Sequence, residues 1–280
     1  MAGFLIVNPR SGDGEPSTDE LVACAEGRGI ACRVLERGDD STVVASEADA
    51  DVLGIAGGDG SLAQVAAVAR HRGLPFVCIP FGTRNHFARD LGLDRADPLA
   101  GLAAFDRTEA VERRIDLGEV NGRVFLNNVS LGLYAGLVGR REHHRHRGEA
   151  LAGLRALGLL VGERHRLVSR VDGETVRSRI LLIANGHYDL TLFTLGERAS
   201  LTSGALHLYA ADGWLPHSWL ERVAPAFEVV LAAPAVDAAI DGEPMRLELP
   251  LRFSSLPAAL RVLVPSGSRA AGEGEIKTDP

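Results

Sequence analysis

The chain contains almost no lysine, and this scarcity excludes one large class of phosphate-binding proteins. Of its 30 basic residues only Lys277 is a lysine, and it lies in the small, polar C-terminal stretch. The P-loop of nucleoside triphosphatases needs a lysine directly after its second glycine to reach the phosphates. No Gly-x-x-x-x-Gly-Lys occurs here, so a P-loop kinase is excluded. The formal net charge of −7 gives no support for nucleic-acid binding.

Cysteines and long apolar runs are also scarce. Cys24, Cys32 and Cys78 form an odd, scattered set without paired or metal-ligand spacing, so we expect small core residues in a reducing compartment. No apolar run approaches the roughly 18 residues that a membrane-spanning helix needs. The sequence therefore predicts a cytoplasmic protein whose only membrane contact would be peripheral, at the inner face.

The first third of the chain alternates between strand and helix patterns. Apolar runs predict four strands, at Phe4–Asn8, Ala31–Leu35, Val52–Ala56 and Pro75–Pro80. Helices are predicted at Thr18–Gly29, from a Ser61 cap to Ala69, and from Asn85 to Leu91. This alternation predicts a parallel sheet with helices on its faces and with ligands beyond the carboxyl ends of the strands. The first strand runs into Asn8-Pro9 instead of Gly-x-Gly-x-x-Gly, which excludes a Rossmann dehydrogenase.

After about Asp116 the pattern becomes mostly antiparallel β. Asn121-Gly122 and Asp172-Gly173 each separate two strand-like runs, and such dipeptides are typical of hairpins with type I′ turns. The predicted architecture is an α/β nucleotide-binding domain over residues 1–116, a β-rich domain over 117–265, and a flexible tail over 266–280.

Three polar loops follow predicted strands and could bind phosphate. The strongest signal is Gly57-Gly58-Asp59-Gly60-Ser61, where glycines let backbone N–H groups approach an anion at a helix start. Taken alone, this loop could also be a tight strand-to-helix turn without a ligand. The second loop contains Thr83, Arg84 and Asn85, although Asn85 could simply cap a helix. The third loop is Asn8-Pro9-Arg10-Ser11-Gly12.

Together these loops resemble the catalytic domain of the diacylglycerol kinase and sphingosine kinase family, in its bacterial lipid kinase type. That family has Asn-Pro-x-Ser-Gly, Gly-Gly-Asp-Gly-Thr and Pro-x-Gly-Thr-x-Asn loops in this order. It also has an Asn-rich strand with a glycine turn, here Asn127–Gly132, and an Asp-Gly-Glu triplet, here Asp241-Gly242-Glu243. The resemblance runs from Phe4 to about Pro265.

The resemblance implies transfer of the γ-phosphate of ATP, with Mg²⁺, to a lipid hydroxyl at the membrane surface. Asp241 would be the general base, and Asp59 would lie near the γ-phosphate. Glu243 would contact the nucleotide. Its phosphates would be lined by Asn8, Pro9, Arg10, Ser11, Gly12, Gly57, Gly58, Gly60, Ser61, Thr83 and Asn85.

The sequence departs from the family pattern in two places and repeats one motif. A second triplet, Asp172-Gly173-Glu174, lies between strand-like runs and is interpreted as a structural turn. The neutral Ser203 stands at a position where the family's accessory Mg²⁺ site requires a carboxylate. His86 replaces the Asp that usually follows Asn85 in the family. The protein ligands of Mg²⁺ therefore stay unassigned.

One basic cluster, residues 140–147, precedes a stretch with helical apolar spacing, Glu149–Val161. The cluster could contact anionic headgroups while the helix guards the lipid, or both could be an ordinary solvated loop and a packed helix.

Two other functions stay open. An NAD kinase shares the Gly-Gly-Asp-Gly loop, but its usual Asn-Glu pair has no match here. A lipid- or nucleotide-binding module without catalysis would explain Ser203 and His86. The sequence leaves open which lipid alcohol is the acceptor and whether the protein forms a homodimer.

Overall fold

The computed structural model describes residues 2–11, 15–82, 85–132, 167–191, 194–198, 200–211 and 219–268. The chain divides into two units. The first contains Met1–Leu117, Glu197–Gly204 and Leu256–Pro280, and the second contains Gly118–Gly196 and Ala205–Ser255. The chain therefore returns twice to the first unit. The predicted division into 1–116 and 117–265 does not include these two returns.

The first unit is built on a parallel sheet with the strand order β2-β1-β3-β4. Its strands are β1 (Gly3–Val7), β2 (Ala31–Val34), β3 (Val52–Gly57) and β4 (Phe76–Pro80). Its helices are α1 (Thr18–Gly27), α2 (Ser41–Glu47), α3 (Asp59–Arg72), α4 (His86–Asp90) and a 3₁₀-helix (Ala100–Phe105). The predicted parallel α/β arrangement is confirmed, whereas α2 was not predicted.

Local sequence explains how the long helix α3 packs and ends. Leu62, Val65, Ala66 and Ala69 recur at helical spacing and are fully buried. Gly73 ends the helix in the left-handed conformation (φ 68°), which glycine adopts without a steric penalty. The apolar face of α3 therefore lies in the core while the chain turns towards β4.

The second unit is antiparallel, as predicted. The strands β5 to β10 are Ala110–Val120, Arg123–Phe125, Asn128–Gly132, Leu167–Val171, Glu174–Ser178 and Ile180–Asn185. The strands β11 to β17 are Tyr188–Thr191, Thr194–Arg198, Leu206–Ala211, Trp219–Ala224, Ala226–Leu231, Ala235–Ile240 and Glu243–Glu248. A six-stranded sheet has the order β14-β13-β10-β7-β16-β17, and the hairpin of β8 and β9 pairs with β15. Strand β5 begins in the first unit and ends in the second.

The last strand, β18 (Leu251–Pro265), serves both units in turn. Its start pairs antiparallel with β15 in the second unit. Further along, Val262 and Leu263 pair in parallel with Phe76 and Val77 of β4. The end of β18 falls within the predicted β-rich domain over 117–265 but belongs to the first unit. The apolar pattern predicts a strand at this place, but nothing local specifies a partner that lies almost 190 residues earlier in the chain.

Three Asx-Gly dipeptides form the tips of hairpins. The φ angles of Asn121-Gly122 are 48° and 79°, and those of Asp172-Gly173 are 50° and 87°, so both predicted type I′ turns are confirmed. Asp241-Gly242 has the same geometry, with φ 48° and 86°, and joins β16 to β17. The triplet that the family resemblance singles out is thus also a hairpin turn.

No helix in the described parts of the chain is long and apolar enough to cross a membrane. The predicted helix at Glu149–Val161 and the basic cluster at 140–147 lie outside the described residues.

The three cysteines occupy different environments. Cys78 is buried, Cys32 is half-buried and Cys24 is exposed, so the expectation of a core position is wrong for Cys24. Burial, with a smaller contribution from Glu26, raises the pKa of the Cys32 thiol to about 11. Burial also raises the pKa of Cys78 well above its ordinary value. The Cys32 and Cys78 thiols therefore stay protonated, and poorly nucleophilic, at neutral pH.

We predict that iodoacetamide modifies Cys24 first and Cys32 slowly, because the thiolate is the reactive form. A raised pKa means that the Cys32 rate keeps rising about tenfold per pH unit beyond pH 9. Peptide mass spectrometry of samples quenched at several pH values measures both rates. A Cys32 rate that levels off near pH 9 would contradict the assigned environment.

One buried ion pair fixes the Glu197–Gly204 segment within the first unit. Arg198 Nε donates to Asp90 Oδ2 at 3.0 Å, and the two side chains are 0% and 1% exposed. Asp90 also accepts two hydrogen bonds from Arg89, at 3.2 and 3.0 Å. A buried charge without such compensation is strongly destabilising.

Replacing Arg198 by Met is expected to lower the free energy of unfolding by about 3–5 kcal/mol, since Asp90 loses one of its cationic partners inside the protein. The matched control is Arg261→Met, which breaks the solvent-exposed pair with Glu112 and should cost about 0.2–1 kcal/mol. Urea unfolding followed by circular dichroism measures both. Equal losses in the two variants would rule out the assigned role of Arg198.

Candidate functional site

The loop after β1 is organised by its own asparagine. The Asn8 N–H donates to the carbonyl of Ala56 at 2.9 Å, which ties the loop to the end of β3. Asn8 Oδ1 accepts from the Arg10 N–H at 3.2 Å, and the Asn8 carbonyl accepts from the Ser11 N–H at 3.1 Å. This turn holds Pro9 at the carboxyl edge of the sheet. Gly12 lies outside the described residues.

The glycine-rich loop after β3 leads directly into α3. The helix begins at Asp59 with Gly58 at its N-cap, so the prediction that Ser61 caps it is wrong. Asp59, Gly60 and Ser61 instead form its first turn, where helical N–H groups have no partner in the preceding turn. Ser61 Oγ donates to the Gly58 carbonyl at 3.1 Å. A Cβ atom on Gly57 would lie 2.7 Å from Ser61 Oγ, so a larger residue there would displace the Ser61 hydroxyl.

Three loops meet at this helix start. A Cβ atom built on Gly58 would lie 3.8 Å from Ser11 Oγ of the first loop. A Cβ atom on Gly82 would lie 3.0 Å from Gly58 Cα and 3.0 Å from Asn85 Oδ1. A side chain at position 82 would crowd the Gly58 backbone, so glycine suits this close approach of the loop after β4. The carboxyl ends of β1, β3 and β4 therefore form a single cluster of polar backbone.

Asp59 joins the second and third loops. Its carboxylate accepts from the His86 and Phe87 N–H groups, each at 3.2 Å, and so caps α4. Asn85 stands at the N-cap position, but its side chain makes no capping bond. Its Nδ2 donates to the Gly82 carbonyl at 2.6 Å, while Oδ1 is buried and has no partner within the described chain. Thr83 and Arg84 lie outside the described residues.

A cavity of about 550 Å³ opens beside Gly82 in the first unit. Its lining combines the end of β4 with two charged side chains from other loops. The lining residues are Glu15, Pro80, Phe81, Gly82, Arg95, Ala96 and Pro98. Neither Glu15 nor Arg95 was predicted, because isolated charges in loops carry no recognisable pattern.

In the second unit, the three Asx-Gly hairpin tips dock onto a neighbouring backbone in the same way. The first residue of each turn donates its N–H to a carbonyl and accepts, through its side-chain oxygen, the N–H of that same residue. The pairs are Asn121 with Arg252, Asp172 with Glu228, and Asp241 with Asn128. An Asx residue is suited to this position because it tolerates positive φ and carries a short acceptor.

Asp241 differs from the other two by burial and by further bonds. It is 7% exposed, and its carboxylate also accepts from the Leu126 N–H at 2.7 Å and the Asn127 N–H at 2.8 Å. Asp172, in the other triplet, is exposed. Glu243 is exposed at the start of β17. The structure thus distinguishes two identical triplets by what their aspartates contact.

A polar network that the sequence did not predict supports the backbone around Asp241. Asn185 Nδ2 donates to the Leu126 carbonyl at 3.1 Å, and the Asn185 N–H donates to the Asn127 carbonyl at 2.9 Å. The Tyr188 hydroxyl approaches Asn127 Oδ1 at 3.5 Å. The side chains of Asn185 and Tyr188 are buried, so their polar groups need such partners.

Asp116 is another buried carboxylate that accepts backbone N–H groups, and the sequence did not predict it as a site residue. It is buried in the first unit and accepts from the Gly204 N–H at 2.6 Å and the Ala258 N–H at 2.8 Å. Its own N–H donates to the Leu201 carbonyl at 2.8 Å. Asp116 therefore fixes the segment that contains Ser203. Within the described residues, no group of three or more His, Cys, Asp or Glu side chains could hold a metal ion.

Comparisons with known proteins agree with this fold. Residues 2–120 match the family model of the diacylglycerol kinase catalytic domain. A diacylglycerol kinase of Bacillus subtilis is 42% identical over 93 residues, which cover 31% of this chain and 30% of the relative. A crystal structure of a Bacillus anthracis diacylglycerol kinase superposes with a TM-score of 0.69 at 17% identity, covering 95% of this chain and 97% of that one.

A relative matches along nearly its whole length. A Pseudomonas aeruginosa protein named "Probable lipid kinase YegS-like" is 33% identical over 300 aligned residues, and the alignment covers 95% of each chain. The chain belongs to the YegS-like family of lipid kinases.

Proposed function

We propose that the protein is an ATP-dependent kinase that transfers the γ-phosphate to the hydroxyl of diacylglycerol or a similar long-chain alcohol. The observation that carries this proposal is the meeting of three loops at the start of α3, in the part of the chain that matches the catalytic domain. The acceptor class rests on the family to which the chain belongs.

Phosphates suit this cluster without any lysine. The 14-residue helix α3 points its N-terminal N–H groups and its partial positive charge towards the place where the loops meet. Gly57, Gly58 and Gly82 leave the backbone accessible, and Ser11 Oγ lies beside Gly58. The adjoining cavity would hold more of the nucleotide, with Arg95 available as a bidentate phosphate donor.

Asp59 would lie near the γ-phosphate and would contribute by holding two loops in position. Its two hydrogen bonds from the His86 and Phe87 N–H groups fix the loop after β4 against the glycine-rich loop after β3. Phosphoryl transfer depends mainly on positioning and charge stabilisation, so a shift of this loop would slow the reaction.

Asp241 would accept the proton of the lipid hydroxyl. The transition state of phosphoryl transfer is loose, so the carboxylate must be well oriented more than strongly basic. Three backbone N–H groups hold the Asp241 carboxylate in one orientation. Glu243, two residues further on, would contact the nucleotide.

Mg²⁺ would arrive bound to ATP as part of the substrate. The described residues offer no cluster of carboxylates for it, and Ser203 cannot supply one. We therefore assign no protein ligands to the ion.

Replacing Asp241 by Asn should reduce kcat by about 10²-fold or more, because the amide cannot accept the hydroxyl proton. The matched control is Asp172→Asn, which changes the same turn in the exposed triplet and should leave kcat within about twofold. Transfer of label from ATP to detergent-dispersed diacylglycerol measures both, and a thermal melt shows that each variant is folded. A folded, fully active Asp241→Asn enzyme would eliminate Asp241 as the base.

The same assay tests the proposed function itself. Transfer of label to NAD without lipid would identify an NAD kinase-like enzyme. Binding of ATP without transfer to any lipid alcohol in a panel would identify a module without catalysis.

Replacing Gly82 by Ala should lower kcat/KM for ATP by about 10²-fold, because the new methyl group pushes the loop after β4 away from Gly58. The control is Gly27→Ala, where a Cβ atom meets nothing within 4 Å and the activity should not change. Steady-state kinetics with varied ATP measure both effects. Equal kcat/KM in the two variants would show that the contact between the loops is not required.

A further inference from the structure

An outer face on one sheet of the second unit combines exposed valines with arginines. Strands β8, β9, β15 and the start of β18 turn alternate side chains to the core, so the remaining side chains point to solvent. We define the outer face by its exposed members: Val168, Arg170, Thr175, Arg177, Ala226, Glu228, Val230 and Arg252.

The two valines are unusual at these positions. Val168 is 53% exposed and Val230 is 37% exposed, whereas the solvent side of an antiparallel sheet is ordinarily polar. Strand register places Val230 directly opposite Arg170, and Val168 directly opposite Arg177. Positions 168 and 170 lie on the same side of β8. The two valines and two arginines are therefore neighbours on this surface, and each valine lies beside an arginine.

The outer face is basic on an acidic protein. It carries three arginines against one acid, and that acid, Glu228, is paired with Arg252 at 3.4 Å. The formal net charge of the whole chain is −7. Arg170 and Arg177 therefore make the outer face itself basic, beside a hairpin tip that carries the exposed Asp172 and Glu174.

We propose that the outer face docks the protein onto an anionic bilayer surface. The guanidinium groups would pair with lipid phosphates, and the two valines would enter the boundary between headgroups and acyl chains. This inference rests on the proposed function, since an enzyme that phosphorylates a bilayer lipid must reach the membrane surface. A second copy of the chain is a poorer occupant, because a two-fold contact would bring arginines against arginines.

Vesicle sedimentation tests the docking surface. Wild-type protein should bind vesicles of phosphatidylglycerol and phosphatidylcholine more tightly than pure phosphatidylcholine vesicles. The double variant Arg170→Gln/Arg177→Gln should lose about 25-fold in affinity for the anionic vesicles, at about fivefold for each arginine. Val168→Ser/Val230→Ser should weaken binding to both kinds of vesicle, because the apolar contribution does not depend on lipid charge.

The matched control is Val43→Ser/Val111→Ser, which removes two valines of similar exposure, 50% and 43%, from the first unit. This variant should bind anionic vesicles like the wild type. Unchanged vesicle affinity in both outer-face variants would overturn the proposal. Sedimentation velocity that shows a wild-type dimer, lost in the outer-face variants, would overturn it in favour of a second copy.

Activity on a water-soluble short-chain diacylglycerol separates docking from catalysis. The outer-face variants should phosphorylate this substrate at the wild-type rate and lose activity only on vesicles. A loss on the soluble substrate too would overturn the docking role, because the variants would then disturb the enzyme itself. Transfer to no lipid by the wild type, with vesicle binding still dependent on the outer face, would refute the proposed function and leave the docking surface in place.

Discussion

Aspartate carboxylates that accept backbone N–H groups hold the loops of both units in place. Asp59 fastens the start of α4 to the glycine-rich loop after β3, and Asp116 fastens Gly204 and Ala258. Asp241 does the same for three consecutive N–H groups. Hydrogen bonds to a charged group are stronger than neutral ones, and a buried carboxylate without them would be costly. The arrangement of the candidate site depends on these bonds.

Under the proposed function, this arrangement would let acidic residues serve a site for an anionic substrate. Each carboxylate accepts hydrogen bonds from backbone donors, which would limit its repulsion of phosphate. The positive charge for phosphate would come from the start of α3 and from arginines such as Arg95, not from lysine. In the proposed enzyme, a chain with one lysine would thus bind ATP largely through backbone geometry.

The two Asp-Gly-Glu triplets show what local chemistry can and cannot specify. Both form type I′ turns with the same reciprocal docking, so the same turn residues produced the same local structure. The difference is that Asp241 is buried against Leu126 and Asn127, whereas Asp172 is exposed. Since a triplet carries no information about its distant neighbours, only the fold assigns the two aspartates different surroundings.

By itself, the sequence determined the four strands of the first third and its helices α1, α3 and α4, two of the three Asx-Gly hairpins, and the loops that carry the family motifs. These features follow from short-range periodicity, glycine spacing and turn residues. Only the tertiary structure decided that β18 returns to pair with β4, that Asp59 and not Asn85 caps α4, and that the Glu197–Gly204 segment is held by Arg198. The physical reason is that pairing and capping partners are chosen by proximity in space, which local patterns do not encode.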